Sequence, residues 1–187
     1  MSRFLLDTDT VTLAHYGHPQ AIQHLVQHPD SDIAIPAISV QEQMRGWLAR
    51  LNRLSVAKDV ADWYDFLVKR MFPVWNRYEL ISFSEPAILR FEQLRAMRLN
   101  IGLMDLRISA VALQDGFTVV TRNQRDFNRV PGLTSEDWSV CLVFCTFSSP
   151  TRHYFTRSYD KLRYLSMFGK SYSTPAITNK LPRKRAG

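Results

Sequence analysis

Short apolar runs that alternate with stretches of helical periodicity constrain this chain more than any other feature. Arg3–Leu6 is apolar and ends at Asp7, Ile33–Ile38 is a second such run, Glu79–Phe83 is strand-like, and Thr118–Thr121 is the last clear strand. Runs this short and this uniformly apolar belong to strands buried on both faces. Between them Leu13 is followed, after Pro19, by Ile22, Leu25 and Val26, and Met44, Trp47, Leu48 and Leu51 recur at three- and four-residue spacing. A further helix is expected from about Val56 to Phe72, ended by Pro73. Ser84, Glu85 and Pro86 then start the helix that carries Ile88, Phe91, Leu94 and Met97. Leu103–Leu113 is apolar nearly all round, which predicts a deeply packed helix, and Gly116 stops it. Strands alternating with helices make an α/β domain, its short parallel sheet of about four or five strands covered on both faces.

A length of 187 residues suits one domain with a sizeable core rather than two. No apolar stretch approaches the roughly 18 to 20 residues that span a bilayer, and the opening MSRFLLDTDT lacks the apolar core and cleavage site of a signal peptide. The expectation is a soluble, cytoplasmic protein with no membrane association. Cys141 and Cys145, the two cysteines, exclude a disulfide framework and a four-cysteine zinc site. The net charge of +7 is unevenly placed: residues 1–139 carry 15 basic and 16 acidic side chains, residues 140–187 carry 9 and 1. The basic excess therefore belongs to the tail, which would attract phosphate backbones in a salt-dependent way. Residues 1–139 are expected to form the domain and 140–187 a flexible basic extension.

In a parallel α/β sheet, ligands bind beyond the carboxyl ends of the strands, where strand order reverses. Asp7 ends the first strand; Thr121, Asn123 and Asp126 follow the last; Glu42 lies early in the helix after the second strand, and Asp105 opens the buried helix. If the first and last strands are neighbours, all four acids reach one rim. Like charges at about 4 Å repel by on the order of 4 kcal/mol per pair at an effective dielectric of 20. A hard divalent cation removes that cost, and magnesium favours oxygen ligands while keeping several waters. Each acid also has a structural explanation. Ser39 and Glu42 have the spacing of a capping box, Asn123 and Asp126 repeat it, Asp105 gains from the helix dipole, and Asp7 could be an N-cap.

The segments F-L-L-D-T-D-T at Phe4–Thr10, I-S-V-Q-E-Q-M-R-G at Ile38–Gly46, G-L-M-D-L-R-I-S-A-V-A-L at Gly102–Leu113 and T-V-V-T-R-N-Q-R-D-F at Thr118–Phe127 resemble four motifs of VapC-type PIN domains. A loop and a closing tryptophan, Trp138, follow the fourth, and the resemblance spans about residues 1–139 in order. It implies a three-layer α/β/α fold and a Mg2+- or Mn2+-dependent endoribonuclease, the toxin of a type II toxin–antitoxin system. By position Asp7, Glu42 and Asp105 match the family's metal-binding acids, Asp126 an acid of the fourth motif, and Thr121 a supporting hydroxyl. It further implies an RNA substrate, a cognate antitoxin over the acidic pocket, and a homodimer. Asn123 stands where many members have aspartate, which weakens a second metal site, and Asp9 stands where asparagine is common. The tail has no counterpart in the family.

Two other functions fit parts of the chain. Asp7-Thr8-Asp9-Thr10 also resembles the signature of haloacid-dehalogenase-type phosphatases, whose first aspartate is a nucleophile and second an acid/base. That chemistry needs a later lysine and a further acidic pair, whereas Lys58 and Lys69 fall in a helical region. An inert PIN-like domain that binds RNA or protein is the non-enzymatic alternative. Outside the acids, Arg122, Arg125 and Arg129 are the candidates for phosphate contact. His24 and His28 read as a solvated helix face rather than a metal site. Trp47 reads as core, while Trp63 and Tyr64 are candidates for a partner groove.

Overall fold

The computed structural model describes residues 3–140. Five strands, β1 (Arg3–Leu6), β2 (Ile33–Pro36), β3 (Glu79–Ile81), β4 (Phe117–Val120) and β5 (Ser135–Glu136), form one sheet in the order β3-β2-β1-β4-β5. Every pairing is parallel, so each connection must cross over the sheet, and helices make those crossovers. They are α1 (Thr8–His15), α2 (Pro19–Gln27), α3 (Ala37–Leu51), α4 (Ala57–Phe66), α5 (Phe72–Arg77), α6 (Glu85–Ala96), α7 (Leu103–Asp115) and the short α8 (Gln124–Phe127).

Period-two alternation sends neighbouring strand residues to opposite faces. Leu5, Ala34, Phe117 and Val119 pack with Ala87 of α6 and Ile108, Val111 and Ala112 of α7 in one buried cluster. Phe4, on the other face, meets His28 at the end of α2 and Trp138, with ring centroids 4.6 and 5.0 Å apart. The sheet is thus sandwiched between helices, giving the expected three layers. Burying side chains of the size of Leu5, Ile35 or Ile108, all essentially inaccessible, stabilises a fold by roughly 1.5 to 3 kcal/mol each. Gly116 ends α7 with φ of 72°, the left-handed turn that glycine enters without steric cost.

Several local expectations change. The helix expected to end at Pro73 instead runs on through a π-helical turn, Leu67–Met71, into α5, with Pro73 in the first turn of α5. Inside a continuous helix a proline removes one N–H from the ladder and crowds the carbonyl of the turn before it, and the wider π turn that precedes Pro73 makes room for its ring. Leu48, Ile88 and Met97, placed on apolar stripes by spacing, are exposed. β5, two residues with one half-buried and one exposed side chain, has no apolar run to announce it. His24 and His28 are not a solvated face: both rings stack on Trp138 with an interplanar angle of 7°, and His24 is buried. No helix among the described residues is long and apolar enough to cross a membrane. Apart from Val140, the proposed extension 140–187 and both cysteines lie outside the described residues.

Candidate active site

The sheet order reverses between β1 and β4: from β1 the chain steps outward to β2 and β3, then returns to place β4 on the other side of β1. Leu6 and Val120 are in register, so Asp7 and Thr121, the next residues, emerge side by side at the carboxyl ends. The Asp7 backbone N–H continues the ladder by donating to Val120 O at 3.1 Å.

Asp7 is both the N-cap of α1 and the centre of this crevice. Its Oδ1 accepts from the Thr10 backbone N–H at 2.9 Å, and its Oδ2 accepts from Thr121 Oγ1 at 2.5 Å. Only 5% exposed, it has its pKa pushed up by burial to about 6, even though both hydrogen bonds favour the ionised form. Thr121, fully buried, also accepts from the Asn123 backbone N–H at 2.9 Å. The Asn123 amide then donates to Asp105 Oδ2 at 3.0 Å and to Asp126 Oδ2 at 3.1 Å. One hydrogen-bonded chain therefore joins Asp7, Thr121, Asn123, Asp105 and Asp126.

Asp105 enters from the first turn of α7. Burial raises its carboxyl above the usual range, Asn123 opposes the shift, and the charges of Glu42, Asp126 and Asp9 add to it. Glu42 stands at the same rim, bonded to Thr8, the residue after Asp7. The capping box expected for Glu42 is absent: α3 begins at Ala37 with Pro36 as N-cap, so Ser39 is already helical and Glu42 lies in the second turn. Ser39 faces Leu6 O instead, at 3.5 Å, while Thr8 Oγ1 donates to Glu42 Oε2 at 2.6 Å. Asn123 occupies the N-cap position of α8 without a side-chain cap bond, because its amide is turned to the two aspartates.

Hard oxygen donors suit a divalent cation such as Mg2+ or Mn2+, and two of them, Asp7 and Asp105, are raised by burial. Among the described residues, no three His, Cys, Asp or Glu side chains are close enough to form a ready-made metal shell. The acids lie along one rim but do not converge as a closed cage, and magnesium sites commonly complete their shell with water and phosphate oxygens.

The three arginines differ. Arg122 pairs with Asp9 at 2.9 Å, Arg129 donates to Asn100 O at 2.8 Å, and Arg125 is exposed. Trp63 is not an open groove residue: its indole N–H donates to Trp47 O at 3.0 Å, and Trp47 returns a bond to Trp63 O at 3.2 Å. Tyr64 remains exposed. Lys58 and Lys69 form ion pairs with Asp62 and Asp65 along the α4 arm, away from the strand end that phosphatase chemistry requires. Sequence reasoning missed Thr8 and the buried Gln43 behind it. Neither has a local signature, since their partners lie about 30 residues away.

No family model matches the chain. It is 28% identical over 142 residues to the tRNA(fMet)-specific endonuclease VapC of Salmonella typhimurium, covering 74% of this chain and 99% of that protein. Ribonuclease VapC2 of Rickettsia felis is 26% identical over 141 residues, 72% and 97% of the two chains. Among solved structures, DNA-bound VapBC from Salmonella typhimurium matches with a TM-score of 0.60 at 27% identity, over 74% of this chain and 99% of that one. The chain has a VapC-type PIN-domain fold. In this domain the β1/β4 crevice carries Asp7 and Thr121, and the acids of α3, α7 and α8 approach it from the rim.

Proposed function

We propose that this VapC-type domain is a divalent-metal-dependent endoribonuclease, the toxin of a toxin–antitoxin pair, which hydrolyses phosphodiester bonds in single-stranded loops of structured RNA. The observation that carries this reading is that acids from four separate segments line the rim beyond the carboxyl ends of β1 and β4, where Asn123 bonds both Asp105 and Asp126, Thr121 links Asn123 to Asp7, and Thr8 bonds Glu42. Asp7, Glu42 and Asp105 would hold Mg2+ or Mn2+, with Asp126 beside them. When bound, such an ion supplies counter-charge to the phosphodiester and lowers the pKa of water. Thr10 and Thr121 keep Asp7 in one orientation, and Asn123 fixes one oxygen each of Asp105 and Asp126; Asp126 Oδ1 faces Arg129 at 3.6 Å, so Asp126 would orient an attacking water only by sharing that oxygen with Arg129. Arg125, and Arg122 if it exchanges Asp9 for phosphate, would draw the RNA backbone to the rim.

The likeness to proteins solved as VapBC complexes supports a cognate antitoxin as partner, and a homodimer is proposed with it. Cleavage of structured RNA by purified protein, with Mg2+, with Mn2+ and with chelator, tests the reading. Asp7→Asn and Asp105→Asn should each reduce cleavage to background while circular dichroism stays native. Near-wild-type activity in either variant would refute the assignment. The lack of a closed carboxylate cage among the described residues favours the second reading, an inert PIN-like binding domain, which predicts RNA or antitoxin binding with no cleavage under any metal.

A further inference from the structure

Glu42 is held differently from the other acids. Because α3 starts at Ala37, Glu42 lies beyond the reach of any cap, on a side chain with three rotatable bonds. Its hydrogen bond comes from another element: Thr8, in the first turn of α1, donates through Oγ1 to Glu42 Oε2 at 2.6 Å. Ser39 Oγ also lies 3.2 Å from that hydroxyl, but a hydroxyl has one proton, and the shorter, charge-assisted contact takes it. Thr8 follows Asp7 directly, so Asp7 and the group that holds Glu42 leave the same turn.

Thr8 is itself anchored from behind. Its carbonyl accepts from Thr12 Oγ1 at 2.7 Å and from Gln43 Nε2 at 3.5 Å, and Gln43 Nε2 also reaches Thr12 Oγ1 at 3.2 Å. Gln43 Oε1 in turn accepts from Trp75 Nε1 at 2.8 Å and faces His15 Nε2 at 3.1 Å. This network ties α1, α3 and α5 together and anchors the Thr8 backbone from which the hydroxyl projects. We propose that Thr8 is a positioning residue for Glu42, fixing one carboxylate oxygen and leaving the other free to ligate the cation that Asp7 and Asp105 would help to hold. The inference rests on the metal-dependent reading above.

Manganese affinity of the full chain, measured by calorimetry with the melting temperature in chelator read in parallel, tests it. Groups that orient a metal ligand typically contribute 10- to 100-fold in affinity, so Thr8→Val should weaken Mn2+ binding by about that factor while the melting temperature stays near wild type. Thr8→Ser, which keeps the hydroxyl, should restore wild-type affinity, and in a Glu42→Gln background Thr8→Val should have no further effect. If the valine variant melts early, Thr8→Ala serves in its place. Should Thr8→Val bind Mn2+ as tightly as wild type while Glu42→Gln binds weakly, Thr8 has no positioning role. If the wild-type chain takes up no Mn2+, or if Asp7→Asn and Glu42→Gln both leave uptake unchanged, the metal-dependent reading fails and this inference with it.

Discussion

The two halves of the site are built by different means. On the sheet side, Asp7 and Thr121 sit at the ends of adjacent parallel strands, buried, in a register fixed by backbone ladders. On the helix side, Glu42, Asp105 and Asp126 are half-buried and come from three different helices, held by the side chains of Thr8 and Asn123. The first half is dictated by the fold and the second by replaceable polar contacts. The rigid half also carries a cost: burial lifts Asp7 to about 6, so at neutral pH the fold keeps an ionised carboxylate in surroundings that favour its neutral form.

The difference predicts two contrasting variants. Thr121→Val keeps the volume but leaves Asp7 Oδ2 and the Asn123 N–H without their shared partner in a buried place. A buried polar group left unpaired costs about 1 to 3 kcal/mol, so a clear drop in melting temperature is expected in chelator. Cleavage should fall as well, by about 10- to 100-fold, because Asp7 loses the group that orients it. Unchanged stability and rate would mean that the strand ends alone define the rigid half. On the helix side, Asn123→Ala removes a neutral donor between two half-buried carboxylates, where water can replace it. The stability loss should then be smaller, about 1 kcal/mol or less, and Mg2+ should repair it by screening Asp105 from Asp126. A melting temperature equally lowered with and without Mg2+ would contradict that account.

Legibility in the sequence followed the same division. The parallel sheet, its α7 helix and the place of Asp7 are readable because apolar runs and a following acid are local signals: Arg3–Leu6 and Thr118–Thr121 announce themselves, the second displaced by one residue from the strand Phe117–Val120. Asp7 as N-cap and Asp105 in a first turn were also readable, since caps and dipoles act within a few residues. The Ser39–Glu42 spacing misled because β2 ends at Pro36 and α3 begins at once, making a pattern that signals a helix start fall inside the helix. The Thr8–Glu42 bond could not be read, because it depends on how α1 lies against α3. His24 and His28 were misjudged for the same reason: the residue that covers them, Trp138, is more than 100 positions away.

The smallest predicted effect lies behind the helix-borne half. Burial lowers the pKa of His15 below its usual 6.5, with the hydrogen bond to Gln43 opposing the shift. An unfolded chain therefore takes up a proton at this position as pH falls below about 6.5, while the folded chain still resists it. His15 thus contributes stability that is fully present above about pH 6.5 and declines as the pH falls toward its folded value, at a slope of no more than about 1.4 kcal/mol per pH unit. Urea midpoints measured from pH 7.5 to 5.5 should fall more steeply for wild type than for His15→Gln, which cannot titrate. Parallel profiles would show that His15 protonates as readily in the fold as out of it.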